Sequence, residues 1–493
     1  MKALPLVRWT HNSCSLLLAA ALSACALGPD FHKPAQPATS SYLPEPLPAE
    51  TVSASGTAGA AQRFIAGKDA DQEWWHAYGS MELDALISAA LKANPSVRAA
   101  QASLRQAQEL AAAQRGNYWP QLSGDAAAVR QRDALGVLSP TLNSGTAVFN
   151  LFTPQLTVSF VPDLFGANRP QVESLVAAAD AARFELDATY ISLIDNVIVA
   201  AVQEAGLRAQ IEATERVIAL DRDALRILQR ALDLGAVSQA EVSAQDTALA
   251  QAEAALPPLR HQLEVERHLL AALTGHLPSD AQSFTITLDQ LQLPSEIPLG
   301  VPSRLVERRP DVRAAEAQLH AATAQVGVAE ANMFPQLTIT GGVGSTATQV
   351  ADLFKAGTEF WSIGGDLSQT LFAGGALLHK KRAAVAALDA AGATYRSTVL
   401  GAFQNVADAL HAVSTDAEVL EASVRSANAA EKSFQIARRQ LELGSIDYAA
   451  LMLAEQAFLQ TRITLIVAEV NRYADTAALF QALGGVGASE LNP

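Results

Sequence analysis

From Leu186 onward the chain steps through positions 190, 193, 197, 200, 204, 207, 211, 214, 218, 221, 225, 228 and 232, and eleven of these fourteen positions are apolar. The three breaks are Glu204, Thr214 and Asp221. Alternating steps of four and three predict a coiled-coil seam. Adding 209 reproduces the pattern through Tyr395, Val399, Ala402, Val406, Ala409, Val413, Asp416 and Leu420 and on to Leu441. The first seam predicts a helix over about residues 168 to 233, roughly 100 Å long at 1.5 Å per residue. That is too long for a globular core and suits a span across a compartment. Leu-Gly pairs at Gly235 and Gly444 supply a residue tolerant of left-handed backbone where each helix ends. Pro257-Pro258 is expected to break the returning helix.

Upstream of each long helix the texture changes. Between Asp133 and Asp163 lie 29 residues without Asp, Glu, Lys or Arg, and a second uncharged run extends over residues 331–351. Leu156, Val158 and Phe160 alternate with Thr157 and Ser159, and Leu337 and Ile339 alternate with Thr338 and Thr340. Period-two patterning predicts strands with one apolar face. Two such hairpins give about four strands, too few to close a barrel around a lumen. If these strands lie in a membrane, several chains must share one barrel.

The two halves are also alike in detail. NPSVRAAQASLRQAQELAAAQRGNYWPQL (residues 94–122) matches RPDVRAAEAQLHAATAQVGVAEANMFPQL (residues 309–337) at an offset of 215, and LDLGAVS (232–238) matches LELGSID (441–447) at 209. The shared punctuation points to an internal duplication. The expected segments are residues 1–24 as a signal peptide, 25–72 as a Pro/Ala-rich tether, 73–285 as the first repeat, 286–305 as a linker, 306–485 as the second repeat and 486–493 as a tail.

The N-terminus explains a lone thiol. Lys2 and Arg8 precede an apolar run ending in Leu22-Ser23-Ala24-Cys25, the layout of a secretory signal. The same four residues resemble a bacterial lipobox, in which Cys25 carries acyl chains and becomes the first mature residue. Each buried methylene contributes about 0.8 kcal/mol, so several chains anchor the protein firmly. Cys14 leaves with the signal, so no disulfide is expected. Removing residues 1–24 takes away two basic residues and moves the net charge from −15 to about −17, which argues against nucleic acid as a partner. After the signal no run of 18 apolar residues predicts a spanning helix.

Enzymatic motifs are lacking in the sequence. GGVGST (residues 341–346) has no Gly-Lys-Ser/Thr ending, and neither His-Glu-x-x-His nor Gly-x-Ser-x-Gly occurs. The nine histidines are scattered, so neither a metal site nor a cofactor is expected. Trp74 and Trp75 are expected to pack as an amphipathic cap.

CALGPDFHKP, EWWHAYGSMELDALISAALKANPSVRAA, VPDLFGANR, ERRPDVRAAEAQLHAATAQVGVAEANMFPQL and TLFAGG, in that order, resemble the lipoprotein branch of TolC-type outer-membrane efflux channels, including NodT-like components of RND efflux systems. The resemblance implies a mainly α protein with a membrane β part. Three chains would share a twelve-stranded outer-membrane barrel, continued by a periplasmic α-helical barrel. It further implies a periplasmic adaptor (membrane fusion protein), an inner-membrane RND-type transporter and passive conduction. In relatives the helical turns form the mouth, and a Leu-Asp-Ala-Gln-Arg stretch ties neighbouring helices there. This chain has Leu453, Ala454, Glu455, Gln456 and Ala457 instead, so that ionic lock is not expected. Glu442, Asp447, Tyr448 and Glu455 are the candidates to narrow the mouth, and Gly235, Ser238, Gly444 and Ser445 the candidates for adaptor contact. Two other readings stay open at this point: the duct of an ATP-driven type I exporter of protein or peptide, and a non-conducting coiled-coil tether of the envelope. The uncharged hairpins weigh against the tether.

Overall fold

The computed structural model describes residues 28–39, 41–69, 71, 73–132, 148–280 and 285–485. Cys25, most of the first hairpin loop and the C-terminal tail lie outside the described residues. The elements run β1 (Arg63–Ala66), a 3-10 turn (Trp74–Tyr78), α1 (Met81–Ala93), α2 (Pro95–Gly116), β2 (Gln121–Arg132), β3 (Val148–Phe160), α3 (Asn168–Asp233), α4 (Gln239–Leu273), β4 (Glu296–Leu299), α5 (Pro302–Arg308), α6 (Pro310–Ala331), β5 (Gln336–Ser345), β6 (Glu359–Ser368), α7 (Ala376–Glu442) and α8 (Tyr448–Ala482). Corresponding helices match in length: 22 residues for α2 and α6, 66 and 67 for α3 and α7, and 35 for α4 and α8. The described residues divide into two compact units, one made of those up to 33, within 104–181 and within 316–394, and the other of those within 34–103, 182–315 and from 395 onward.

The first unit holds an antiparallel sheet in the order β2-β3-β5-β6. Its register sorts the side chains onto two faces. Leu122 opposes Val158, which opposes Gly341 and then Ile363, and the next row on that face runs Gly124, Leu156, Val343, Trp361. The intervening row reads Ser123, Thr157, Gly342, Ser362. One face is therefore apolar and the other polar, as the alternation predicts. Leu122, Leu156, Val158, Val343, Trp361 and Ile363 are nevertheless exposed in the single chain, and among the described residues nothing pairs with the outer edges of β2 and β6.

The second unit is a helical pack. All fourteen positions of the first seam are buried or half-buried in α3, and so are the corresponding positions of α7 from Tyr395 to Leu441. Even the three polar breaks are inside, each with a partner. Glu204 receives hydrogen bonds from Arg208 Nε (2.9 Å) and Arg267 Nε (3.3 Å), Thr214 donates to the Gln210 carbonyl, and Gln245 Nε2 donates to Asp221. Trp74 stacks on Phe480 with centroids 4.8 Å apart, Tyr78 donates to the Tyr473 carbonyl, and Trp74, Trp75 and Tyr78 join the main core. The α3 and α8 helices are each long and apolar enough over 18 residues to cross a membrane; in α3 that window is mostly buried inside the protein, and in α8 mostly uncovered.

Two expectations are corrected. Pro257 and Pro258 do not break the returning helix, because α4 runs unbroken through them. Both prolines are exposed, while Leu249 and Ala252 before them and Leu263 after them are buried, so packing holds the helix and the freed carbonyls of residues 253 and 254 lie on its wet side. Nor is residue 25–72 a free tether throughout, or 286–305 a plain linker. Strand β1 from the one pairs in parallel with β4 from the other, and Glu296 accepts from both Arg63 (3.0 Å) and Lys68 (2.9 Å). Nearer the N-terminus, Phe31 stacks on His320 at 4.3 Å and Lys33 pairs with Glu316.

Candidate functional site at the helical turns

The α3–α4 and α7–α8 turns are built alike. Gly235 (φ 70°) and Gly444 (φ 69°) adopt the left-handed backbone. Their N–H groups donate back to Leu232 and Leu441, and the following N–H groups, of Ala236 and Ser445, donate to Ala231 and Gln440. This double closure satisfies the last helical carbonyls. The next helix then starts on a capping side chain. Ser238 Oγ accepts from the Glu241 N–H while the Glu241 carboxylate accepts from the Ser238 N–H at 2.7 Å and from the Ser238 hydroxyl at 2.9 Å, and these last two bonds hold the Glu241 carboxyl below its usual range. Asp447 Oδ1 accepts from the Ala450 N–H at 2.9 Å.

The turns share one apolar cluster of Leu228, Val242, Phe434, Ala437, Tyr448 and Leu451, with Phe434 stacked on Phe458 at 5.4 Å. Polar groups are set into it. Asp221 on α3 and Gln245 on α4 are buried and bonded at 2.7 Å. Glu455 on α8 is only 7% exposed. Burial, and next the Asp221 charge, push its carboxyl up to about 7, against a smaller opposing pull from Arg438 on α7. Burial raises the Asp221 carboxyl too, opposed by its bond from Gln245, and burial with Glu455 nearby raises the Tyr448 hydroxyl. Tyr448 OH and Gln245 Oε1 have no hydrogen-bond partner among the described residues.

Of the residues expected to narrow a mouth, Glu442 and Asp447 are exposed at the second turn. Glu442 pairs with Arg439 (2.7 Å) and Arg438 (4.0 Å) on its own helix, and Asp447 is the α8 cap. Tyr448 and Glu455 differ from the expectation: both turn into the chain's own packing. Their spacing of seven, with Leu451 between, puts them on one buried stripe. Gly235, Ser238, Gly444 and Ser445 are exposed, the glycines with open space where a Cβ would stand. Sequence reasoning missed Asp221 and Gln245 as members of this site, although Asp221 was visible as a break in the seam.

Long paired helices joined to an amphipathic antiparallel sheet define the class of TolC-like outer-membrane channel proteins. Residues 86–276 and 301–485 match the outer membrane efflux protein family, and the chain belongs to that family. It is 28% identical to the pyoverdine export outer membrane protein OpmQ of Pseudomonas aeruginosa, over 87% of this chain and 92% of that protein. It is likewise 28% identical to the toluene efflux pump outer membrane protein TtgC of Pseudomonas putida, over 94% and 93%. Among solved structures, the outer-membrane channel OprN superposes with a TM-score of 0.81 at 28% identity, covering 94% of this chain and 99% of that one. The outer membrane protein VceC of Vibrio cholerae gives 0.78 at 26%, covering 84% and 99%.

Proposed function

We propose that the chain is the outer-membrane duct of a tripartite efflux pump, working as a homotrimer with a periplasmic adaptor and an inner-membrane RND-type transporter. The observation that carries this reading is the sheet: four strands with one apolar face and two unpaired edges. Four strands cannot enclose a lumen, and an exposed edge seeks another strand. Three copies joining β6 of one to β2 of the next make a twelve-stranded barrel with the apolar face toward lipid and the Ser123, Thr157, Ser362 face toward water. The matched helix lengths of the two halves support an internal duplication, whose helices continue the duct as a periplasmic tube. Cys25 is the lipid anchor, and the turns at Gly235 and Gly444 form the periplasmic mouth and meet the adaptor.

Conduction through such a duct is passive. The energy comes from the transporter, and no catalytic residue is assigned. Relatives named for pyoverdine and for toluene are equally similar, which fits a duct whose cargo is chosen at the pump. The test is accumulation of a fluorescent dye, with toxic-compound sensitivity, in a strain lacking the gene and again after complementation. Higher accumulation that complementation reverses is the expected result. Unchanged accumulation, with redundant ducts also deleted, overturns the reading in favour of protein secretion or a structural tether.

A further inference from the structure

Four buried polar side chains from three helices lie behind the turns, with no balancing buried base beside them among the described residues. Asp221 comes from α3, Gln245 from α4, and Tyr448 and Glu455 from α8, and all four are buried. The α7 helix contributes Arg438, which is 57% exposed and shared with Glu442. Gln245 is uncharged, and its Nε2 already donates to both the main-chain oxygen and Oδ1 of Asp221. Glu241 of α4 and Asp447 before α8, the neighbouring acids at the turns, are tied up as caps. Two carboxyls are thus buried within electrostatic reach of each other, while Tyr448 OH and Gln245 Oε1 lack partners among the described residues. A carboxyl in such a place is favoured when neutral, and ionising it costs both desolvation and repulsion.

We propose that Asp221, Gln245, Tyr448 and Glu455 form a proton-held tie that keeps α8 against α3 and α4 at the turns and lets them part when its carboxyls ionise. The tie rests on the reading of these turns as the mouth, and replaces an ionic lock that Ala454 and Ala457 cannot make. The direction follows from linkage. Closed, the Glu455 carboxyl holds its proton up to about 7; parted and wet, it returns to the ordinary 4.5. The closed arrangement therefore binds more protons between those values. Its extra stability is complete below the lower value and lost as pH rises through the upper one. The open-to-closed ratio rises by at most on the order of a few hundred-fold per chain over that window.

The test uses the full-length purified protein in detergent and in planar bilayers between pH 5.5 and 8.5. Hydrogen exchange across residues 440–458, corrected for the intrinsic pH effect, reports parting of the helices, and single-channel conductance reports the mouth. The expected result is strong protection and low conductance at acid pH, both lost toward pH 8. Glu455→Gln, a neutral isostere, keeps protection at every pH. Asp221→Asn, which retains the acceptor for Gln245 and deletes one like charge, makes the step shallower. A wild-type pH step that persists in both variants, or protection that never changes with pH, overturns the tie. Exchange that steps with pH while no current flows at any pH supports the tie and overturns its role as a mouth.

Discussion

Glu204 interrupts the first seam and is 1% exposed, so the two arginines that reach it are the perturbation of choice. Arg208 lies one turn along α3 and binds one carboxylate oxygen at 2.9 Å; Arg267 on α4 binds the other at 3.3 Å. Both arginine side chains are 26% exposed, so each snorkels its stem over the seam. A hydrogen bond to a charged group contributes about 1.5–3 kcal/mol. Arg208→Ala or Arg267→Ala alone should cost about that much, Arg208 the more because it also donates to the Ile286 carbonyl. Both together leave a carboxylate buried and uncompensated, at about 3–5 kcal/mol. Adding Glu204→Leu to the double variant restores an apolar seam residue and should recover most of the loss. Denaturant unfolding of the purified protein, followed by helical circular dichroism, measures the series. A double variant within about 1 kcal/mol of wild type, or a leucine that fails to rescue it, refutes the argument that the clamp makes Glu204 tolerable.

The two faces of the sheet give a paired test: Ile363→Arg on the apolar face should lower barrel assembly by about 2–4 kcal/mol at mid-bilayer depth, while Ser362→Arg on the polar face should assemble and change conductance. Equal assembly of the two would dismiss the assignment of faces. Asp447→Ala removes the α8 cap and should cost about 1 kcal/mol, seen as faster hydrogen exchange confined to the first turn after Tyr448; unchanged exchange there would mean the cap is idle. Cys25→Ala should abolish labelling by a fatty-acid analogue and leave unprocessed precursor, and undiminished labelling would place the anchor elsewhere.

How much of this was legible depended on whether the signal was local. The seam from Leu186 to Leu232 was readable because burial repeats every seven residues, and the structure buries or half-buries every position of that stripe. The strand faces were readable for the same reason at a period of two. The pairing of β1 with β4 was not, since Arg63 meets Glu296 across a gap of 233 residues and neither four-residue strand carries a pattern of its own. The unbroken path of α4 through Pro257-Pro258 was misread because a local cost was weighed without the packing of Leu249, Ala252 and Leu263 around it.

The turns show where periodicity stops being enough. Tyr448, Leu451 and Glu455 share one helical face, so their common burial could have been inferred from spacing alone, but what they face could not. That Glu455 lies near an acid on α3 follows from how four helices converge on one apolar cluster. A period states which side of a helix is inside, and says nothing about the charge waiting there. The same buried stripe would have been unremarkable opposite Ala or Leu. Opposite Asp221 it turns a surface-looking glutamate into the group whose proton decides whether the helices at the turns stay together.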